Sequence, residues 1–537
     1  MNQPSNSYSP IQCDLAIINA RIITGDCSLA FDGMVGVSKG RICYVGTVQP
    51  YSCDTVIDAQ GKILSPGFID IHGHSDFTIL LYPDAESKVA QGVTTEFIGN
   101  CGLSAAPLYG DAWKRWHSRW EKKKLTVDWH DPEEYFRRLE QRKSNINIAP
   151  LLGHGNLRAA IKSYNGQSLS NDEKREFALL TENSVNCGFW GISLGLAYPP
   201  GIFSDESELA ILFKLAHEKN IPITVHMRNE GDTVEESVDE MLELAQQYGT
   251  QLQISHLKAY GSKNWGKIKR IIEKIDFCRE QKKLDVCFDR YPYTAFNTDL
   301  DFILPQEIFD GGHAHALSKL REPSFRAMLA KQLAVQYTLD DASNIVISSI
   351  RSDKQGLVGK RLTDIFSPDD PNFWHSVVAL IDEVEFEAEA TFVLMHEYNL
   401  PIIFAHPCAI VASDSSVRPY NDSGNPHPRT YGTFPRFLEM VLRHNLMPVE
   451  EAVYKITGLP AKKFGLEDRG IIKEHYYADL VLWNPHTIAD MSSYENSKIK
   501  PQGIYAVWVN GHMVYKEGNV FKELSGKLLL KHQRGAD

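Results

Sequence analysis

The 537-residue chain is 43% hydrophobic and 23% charged, a composition that can bury a large core and excludes a disordered chain. Its formal net charge of −12 argues against nucleic acid and anionic membrane as partners, because both reward a basic surface. One large domain with smaller appendages is expected, since α/β barrels commonly exceed about 250 residues as a single unit.

In chain order, Met1 to Pro10 is polar and lacks the apolar centre of a secretory signal, and no apolar run approaches the ~20 residues of a membrane span. Nine cysteines (Cys13, Cys27, Cys43, Cys53, Cys101, Cys187, Cys278, Cys287 and Cys408) form no CxxC pair. Together these features predict a reducing, cytoplasmic setting with free thiols, eight of them small buried hydrophobes. From Asp14 to about Pro66 short β-rich stretches, such as Leu15-Ala-Ile-Ile-Asn and Arg41-Ile-Cys-Tyr-Val, are broken by Gly, Asp and Asn. Residues 470–537 have the same texture, with a hairpin expected at Asn510-Gly511. Residues 1–66 and 470–537 are therefore expected to build one small β-sandwich from both ends of the chain.

Residues 67–469 alternate apolar strands with amphipathic helices. Strands are expected at Gly67-Phe-Ile-Asp-Ile-His, Thr94-Thr-Glu-Phe-Ile-Gly, Ile146-Asn-Ile-Ala-Pro-Leu-Leu, Gly191-Ile-Ser-Leu-Gly, Ile223-Thr-Val-His, Leu252-Gln-Ile-Ser-His, Val286-Cys-Phe-Asp and Ala409-Ile-Val-Ala-Ser-Asp. Helices are expected between them, as at Glu206 to Glu218 and Thr233 to Tyr248. Eight such strands predict an α/β fold of the (β/α)8 TIM-barrel type. The stretch from about 302 to 399 breaks the rhythm, and its texture predicts a helical insertion over the barrel mouth.

The strongest local pattern is Asp70-Ile-His72-Gly-His74-Ser-Asp76 at a strand end. Residues two apart on a strand share a face, so His72 and His74 can converge on one point, and neutral imidazole is a standard zinc ligand. An HxH pair alone is a weak signal. Further polar groups end later strands: His226, His256 and Asp414, with Cys101 after Glu96-Phe-Ile-Gly-Asn. Functional residues of a barrel gather at that rim, and so many at one topological position argue for a shared site.

This set resembles the amidohydrolase superfamily, whose members carry HxH on the first strand, His on the fifth and sixth, and Asp on the eighth. Many members bridge two metals with a lysine on the fourth strand, but Gly191-Ile-Ser-Leu-Gly-Leu-Ala-Tyr-Pro-Pro-Gly contains none. Cys101, in Gly99-Asn-Cys-Gly-Leu-Ser, stands in its place, as in the N-acyl-D-amino-acid deacylases. Gly153-His-Gly-Asn-Leu-Arg158, His226-Met-Arg-Asn-Glu-Gly-Asp, Ser255-His-Leu-Lys258, Tyr291-Pro-Tyr-Thr-Ala and His427-Pro-Arg429-Thr-Tyr-Gly match that family too. The resemblance runs from about Asp14 to Lys516.

It implies one tight zinc on Cys101, His226 and His256, and a weaker second metal site on His72 and His74 with Cys101 as bridge. Zinc-activated water would attack a small N-acyl-D-amino acid, with Asp414 as general base and acid. Arg429 and Lys258, helped by Tyr291 and Tyr198, would hold the substrate carboxylate. Leu194, Asn229 and Phe296 depart from the family pattern, and Asp299 and Asp301 add negative charge, which favours a neutral over an acidic substrate side chain. Two alternatives stand beside this: hydrolysis of a cyclic amide, as in dihydroorotases and hydantoinases, which usually want the lysine missing here, and a non-catalytic barrel used for binding. Oligomeric state is left open.

Overall fold

The computed structural model describes residues 10–531; the polar N-terminal stretch up to residue 9 and residues 532–537 lie outside the described residues. The chain opens with strands β1 (Ile11–Ile22), β2 (Phe31–Ser38), β3 (Arg41–Gly46), β4 (Tyr51–Asp58) and β5 (Ile63–Pro66). It then alternates β6 (Phe68–Asp70), β7 (Val93–Ile98), β8 (Asn147–Pro150), β9 (Leu152–Gly153), β10 (Ile192–Gly195), β11 (Ile223–His226), β12 (Leu252–Ile254) and β13 (Val286–Arg290) with helices. After β14 (Phe296–Asp299), β15 (Ile345–Ile350) and β16 (Ala388–Phe392), β17 (Ala409–Val411) resumes the series. The chain closes with β18 (Leu480–Trp483), β19 (Ile504–Val509), β20 (His512–Lys516) and β21 (Asn519–Val520).

Strands from both ends share one nine-stranded sheet, ordered β21-β20-β19-β18-β5-β1-β2-β3 with β4 also on β1. Alternation explains how it docks. Leu480 and Leu482 enter a core with Ile17, Val35 and Trp508, while Val481 and Trp483 point the other way into the main core, as the two-residue period of a strand requires. The β19–β20 hairpin turns at Asn510 (φ 52°) and Gly511 (φ 84°), two left-handed positions that an Asn-Gly pair adopts at little cost.

The middle strands are parallel and buried on both faces, which is why they read as unbroken apolar runs. One sheet is ordered β17-β13-β12-β11-β10-β9 and another β6-β7-β8. Between the two, the Leu151 amide donates to the Ile98 carbonyl at 2.8 Å. On the opposite flank Gly73 and Ser415 form a parallel bridge, and the Asp414 amide donates to the His72 carbonyl at 2.8 Å. The helices carry their own start and stop signals. Asp205 caps Glu206–Glu218 by accepting from the Glu208 amide, and left-handed Gly249 ends Val234–Tyr248.

The expected helical insertion departs from expectation in one respect. Besides the helices Pro323–Gln336 and Phe373–Glu383, it holds a three-stranded antiparallel sheet, β14-β16-β15, which starts at Phe296, before position 302. Helix-forming neighbours mask the β-branched run Ile345-Val-Ile, which pairs with residues 390–392 over a separate core that includes Leu333, Val377 and Phe392. A second correction concerns the cysteines: Cys27 is exposed and Cys43, Cys53 and Cys187 are only partly buried. Cys43 and Cys53 lie on β3 and β4, outer strands of the terminal sheet, where one face meets water. Among the described residues no helix is long and apolar enough to cross a membrane.

Candidate active site

The parallel strands present their C-terminal ends at one rim, and that is where the chain places its histidines. His226 is the last residue of β11; His256 follows β12, and His72 and His74 follow β6. Cys101 follows β7 and Asp414 follows β17. Cys101 (φ 53°), His256 (φ 36°) and Asp414 (φ 49°) all occupy the left-handed region. Such backbone costs about 1–3 kcal/mol per residue and persists where surrounding structure enforces it, often at functional sites. Close approach contributes at Cys101: a Cβ on Gly195 would lie 2.0 Å from the Cys101 carbonyl oxygen, so the fourth strand must carry glycine there.

The Cys101 sulfur is 3.2 Å from His72 Nε2 and 3.7 Å from His256 Nε2. A tetrahedral ion with bonds of about 2.0–2.3 Å sets its ligand atoms roughly 3.3–3.6 Å apart, so this spacing suits a metal. Ligand atoms of His72, Cys101, His256 and Asp414 all lie within 4.8 Å of one another, as do those of His226, Glu230 and His256. Both ring nitrogens of His226 are buried without a hydrogen-bond partner, a costly state that a bound cation relieves. The donor set of one thiolate and several imidazoles is the chemistry zinc selects.

Electrostatics point the same way. Burial alone raises the Cys101 thiol, but His72 and the surrounding His226 and His256 override it and hold it well below the ordinary thiol range, as a metal-binding thiolate needs. Burial penalises a charged His72, yet Cys101, Asp289 and Asp414 raise its pKa well above the usual imidazole value. Burial together with His256 keeps His226 low despite Glu230. Burial raises Asp414, and Arg429, His72 and His256 outweigh it, holding the carboxylate far below its usual range.

Asp414 is 2.7 Å from Arg429, 3.1 Å from His74 and 3.4 Å from His72. A cavity of about 210 Å³ opens over the cluster, lined by His74, Cys101, Tyr198, His226, His256, Lys258, Asp414 and Arg429 among others. Tyr198 stacks its ring edge on His226 at 4.7 Å. Two expected substrate contacts are placed differently. The Lys258 ammonium is already held, 2.6 Å from Glu230 and 2.8 Å from His256 Nδ1. Tyr291 is fully buried, is absent from the cavity wall, and lies under the Arg429 guanidinium at 4.8 Å.

Three carboxylates that support this cluster were missed in the sequence. Asp289 Oδ1 is 3.1 Å from His72 Nδ1 and accepts from the His256 amide at 2.8 Å. Glu230 lies 2.9 Å from His256 Nδ1. Each carboxylate thereby turns the opposite ring nitrogen toward Cys101, the usual way a ligand imidazole is oriented. Asp70 accepts from the Ser413 amide at 3.0 Å and binds the fully buried Lys88 at 2.7 Å, fastening the HxH strand to the loop before Asp414. Asp289 ends Val286-Cys-Phe-Asp at the shared rim position, and Glu230 lies four residues after His226; those were the available signals. Lys88, on a short polar stretch, offers none.

Comparison with known proteins agrees with this geometry. The family described as "Amidohydrolase family" matches residues 55–195 and 405–515. The chain is 30% identical to an N-acyl-D-aspartate deacylase of Alcaligenes xylosoxydans xylosoxydans, over 97% of this chain and 96% of that protein. It superimposes with a TM-score of 0.82 and 30% identity on an N-acyl-D-glutamate deacylase of Bordetella bronchiseptica, solved with zinc and a phosphonate mimic of the tetrahedral intermediate, covering 97% and 100% of the two chains. A D-aminoacylase with a binuclear metal centre, characterised by one-metal activation and second-metal attenuation, aligns at 28% identity and a TM-score of 0.81 over 97% and 100%.

Proposed function

The chain belongs to the amidohydrolase family, among the N-acyl-D-amino-acid deacylases, and on that footing we propose that it hydrolyses the amide of N-acyl-D-amino acids with zinc, yielding a carboxylic acid and a D-amino acid. The observation that carries the proposal is the meeting of Cys101, His72 and His256 beside the Arg429-paired Asp414, with His226 against His256 at 4.5 Å between ring centroids. The two parallel sheets read as one eight-stranded (β/α)8 barrel spanning 67–469, with β8 and β9 as the two halves of one strand joined through Leu151 and the Gly73–Ser415 bridge linking the opposite edges. The nine-stranded sheet, built within the described residues from 11–66 and 480–520, supports reading the two ends of the chain as one small β domain. Free cysteines suit a reducing cytoplasm.

Cys101, His226 and His256 would hold the tight zinc, and His72 and His74 would offer, with Cys101, a weaker second site. A zinc held there would supply a water of pKa about 7 and a Lewis acid for the scissile carbonyl. Asp414, kept ionised by its neighbours, takes the water's proton and delivers it to the leaving nitrogen. Arg429 spans Asp414 and the Asn297 carbonyl, 3.3 Å from its Nη2, and holds the substrate carboxylate through its two-pronged fork. Tyr198, on the cavity wall, donates its hydroxyl to the same end of the substrate. Lys258 acts through Glu230 and His256, neutralising the carboxylate that orients the ligand imidazole.

The test is direct: zinc content of the purified chain, then release of free amine from N-acetyl-D-amino acids beside their L-isomers and hydantoin. Turnover of the D-series is expected. Hydrolysis of hydantoin alone, or a chain that takes up no zinc, overturns the proposal.

A further inference from the structure

The cavity over the metal cluster carries a second group of charges that the hydrolysis does not use. Arg115, Asp299 and Asp301 share its wall with Phe296, Phe302 and Phe309. Asp301 is only 7% exposed. Its Oδ1 is buried without a hydrogen-bond partner, and among the described residues no other side chain donates to its carboxylate. Buried carboxylates are costly when unpaired, so this one calls for a ligand. Arg115 donates to the Tyr164 hydroxyl at 3.1 Å and has no carboxylate within ion-pair distance among the described residues. The group is one aromatic ring from the metal ligands. Tyr198 packs on His226 at 4.7 Å and on Phe302, the neighbour of Asp301, at 6.2 Å.

Resting on the deacylase reading above, we infer that Asp301 and Arg115 form the side-chain subsite and select substrates whose D-amino acid carries a carboxamide, glutamine or asparagine. The amide NH2 donates to Asp301 and the amide carbonyl accepts from Arg115. Burial, then the charge of Asp299, pushes the Asp301 carboxyl up to about 8. Burial raises Asp299 as well, so the two carboxyls share a proton that Asp301 can donate, and Arg119 and Arg115 offset the remaining negative charge. A neutral carboxylic acid and a carboxamide are complementary, each offering one donor and one acceptor. An acidic side chain would add a further negative charge beside Asp299, a second cation would face Arg115, and an aliphatic one would leave Asp301 unpaired.

The experiment compares kcat/KM of the zinc-loaded full chain for N-acetyl-D-glutamine and -D-asparagine with the D-glutamate, D-lysine and D-leucine analogues. One carboxamide substrate is expected to lead each of the others by at least about tenfold, the discrimination expected when the wrong side chain leaves a buried polar group unpaired. The ratio of D-glutamine to D-leucine is expected to collapse toward unity in Asp301→Leu, with zinc content and thermal midpoint reporting that the variant is folded. If that variant does not fold, the wild-type panel decides. A lead for D-leucine, D-lysine or D-glutamate overturns the inference and leaves the deacylase reading standing. No turnover of any N-acetyl-D-amino acid overturns both.

Discussion

Replacing Asp414 with Asn probes the proposed chemistry most sharply, because it preserves side-chain shape and removes only the charge and the basicity. Asp414 is 9% exposed and its closest partner is Arg429 at 2.7 Å. At an effective dielectric of about 20, unit charges at that separation attract by about 6 kcal/mol before desolvation is counted. Stranding one partner of a buried pair typically costs about 3–5 kcal/mol. The variant should therefore lose a few kcal/mol of stability, seen as a lower denaturant midpoint. Losing a positioned base typically lowers turnover by about 100- to 10,000-fold. Zinc should stay, because Cys101, His226 and His256 are untouched. Amine release from N-acetyl-D-amino acids gives kcat, and atomic emission gives zinc per chain. A folded Asp414→Asn protein with full zinc and a kcat within about threefold of wild type refutes the proton-transfer role.

Cys101→Ser should weaken zinc binding strongly, because a neutral hydroxyl replaces a thiolate; equal zinc retention in competition with a chelator would count against Cys101 as a ligand. Glu230→Gln should lower zinc affinity by about 10- to 100-fold through loss of its hold on His256, and an unchanged zinc dissociation constant would sink that role. His427 predicts an acid-sensitive step. Its Nδ1 accepts from the Arg429 amide at 3.0 Å and its Nε2 faces the Ala295 carbonyl at 3.1 Å, so burial and then the Arg429 charge hold the imidazole well below its ordinary value of 6.5. The unfolded chain takes that proton near pH 6.5 and the folded one does not. The stabilisation is therefore complete above pH 6.5 and is lost as pH falls below it, by up to about 1.4 kcal/mol per pH unit. His427→Gln should flatten the fall in thermal midpoint between about pH 6.5 and 5, and parallel wild-type and variant curves would contradict the assignment.

Several elements were legible in the sequence because their causes are local. Parallel strands buried on both faces must be apolar along their length, so β10 to β13 stood out as runs. Helices ended where capping residues stood, and the hairpin turned at Asn510-Gly511 because few other dipeptides tolerate two left-handed residues. The insertion was less legible. Its central strand β16 pairs with both β14 and β15 across long sequence gaps, and such pairing depends on which partner is available rather than on the strand's own pattern.

The amino-acid sequence by itself determined which groups can do chemistry here: an HxH pair, two further strand-end histidines, a cysteine after a strand end with no lysine on the fourth strand, and a strand-end aspartate. Only the tertiary structure decided how those groups are aimed. His72 meets Asp289 across 217 residues, Lys258 is taken up by Glu230, and Tyr291 turns under Arg429 instead of facing the cavity. The physical reason is that a strand's period sets the face a side chain takes, whereas the direction of a ring nitrogen or an ammonium is set by hydrogen-bond partners that distant strands bring to the same rim.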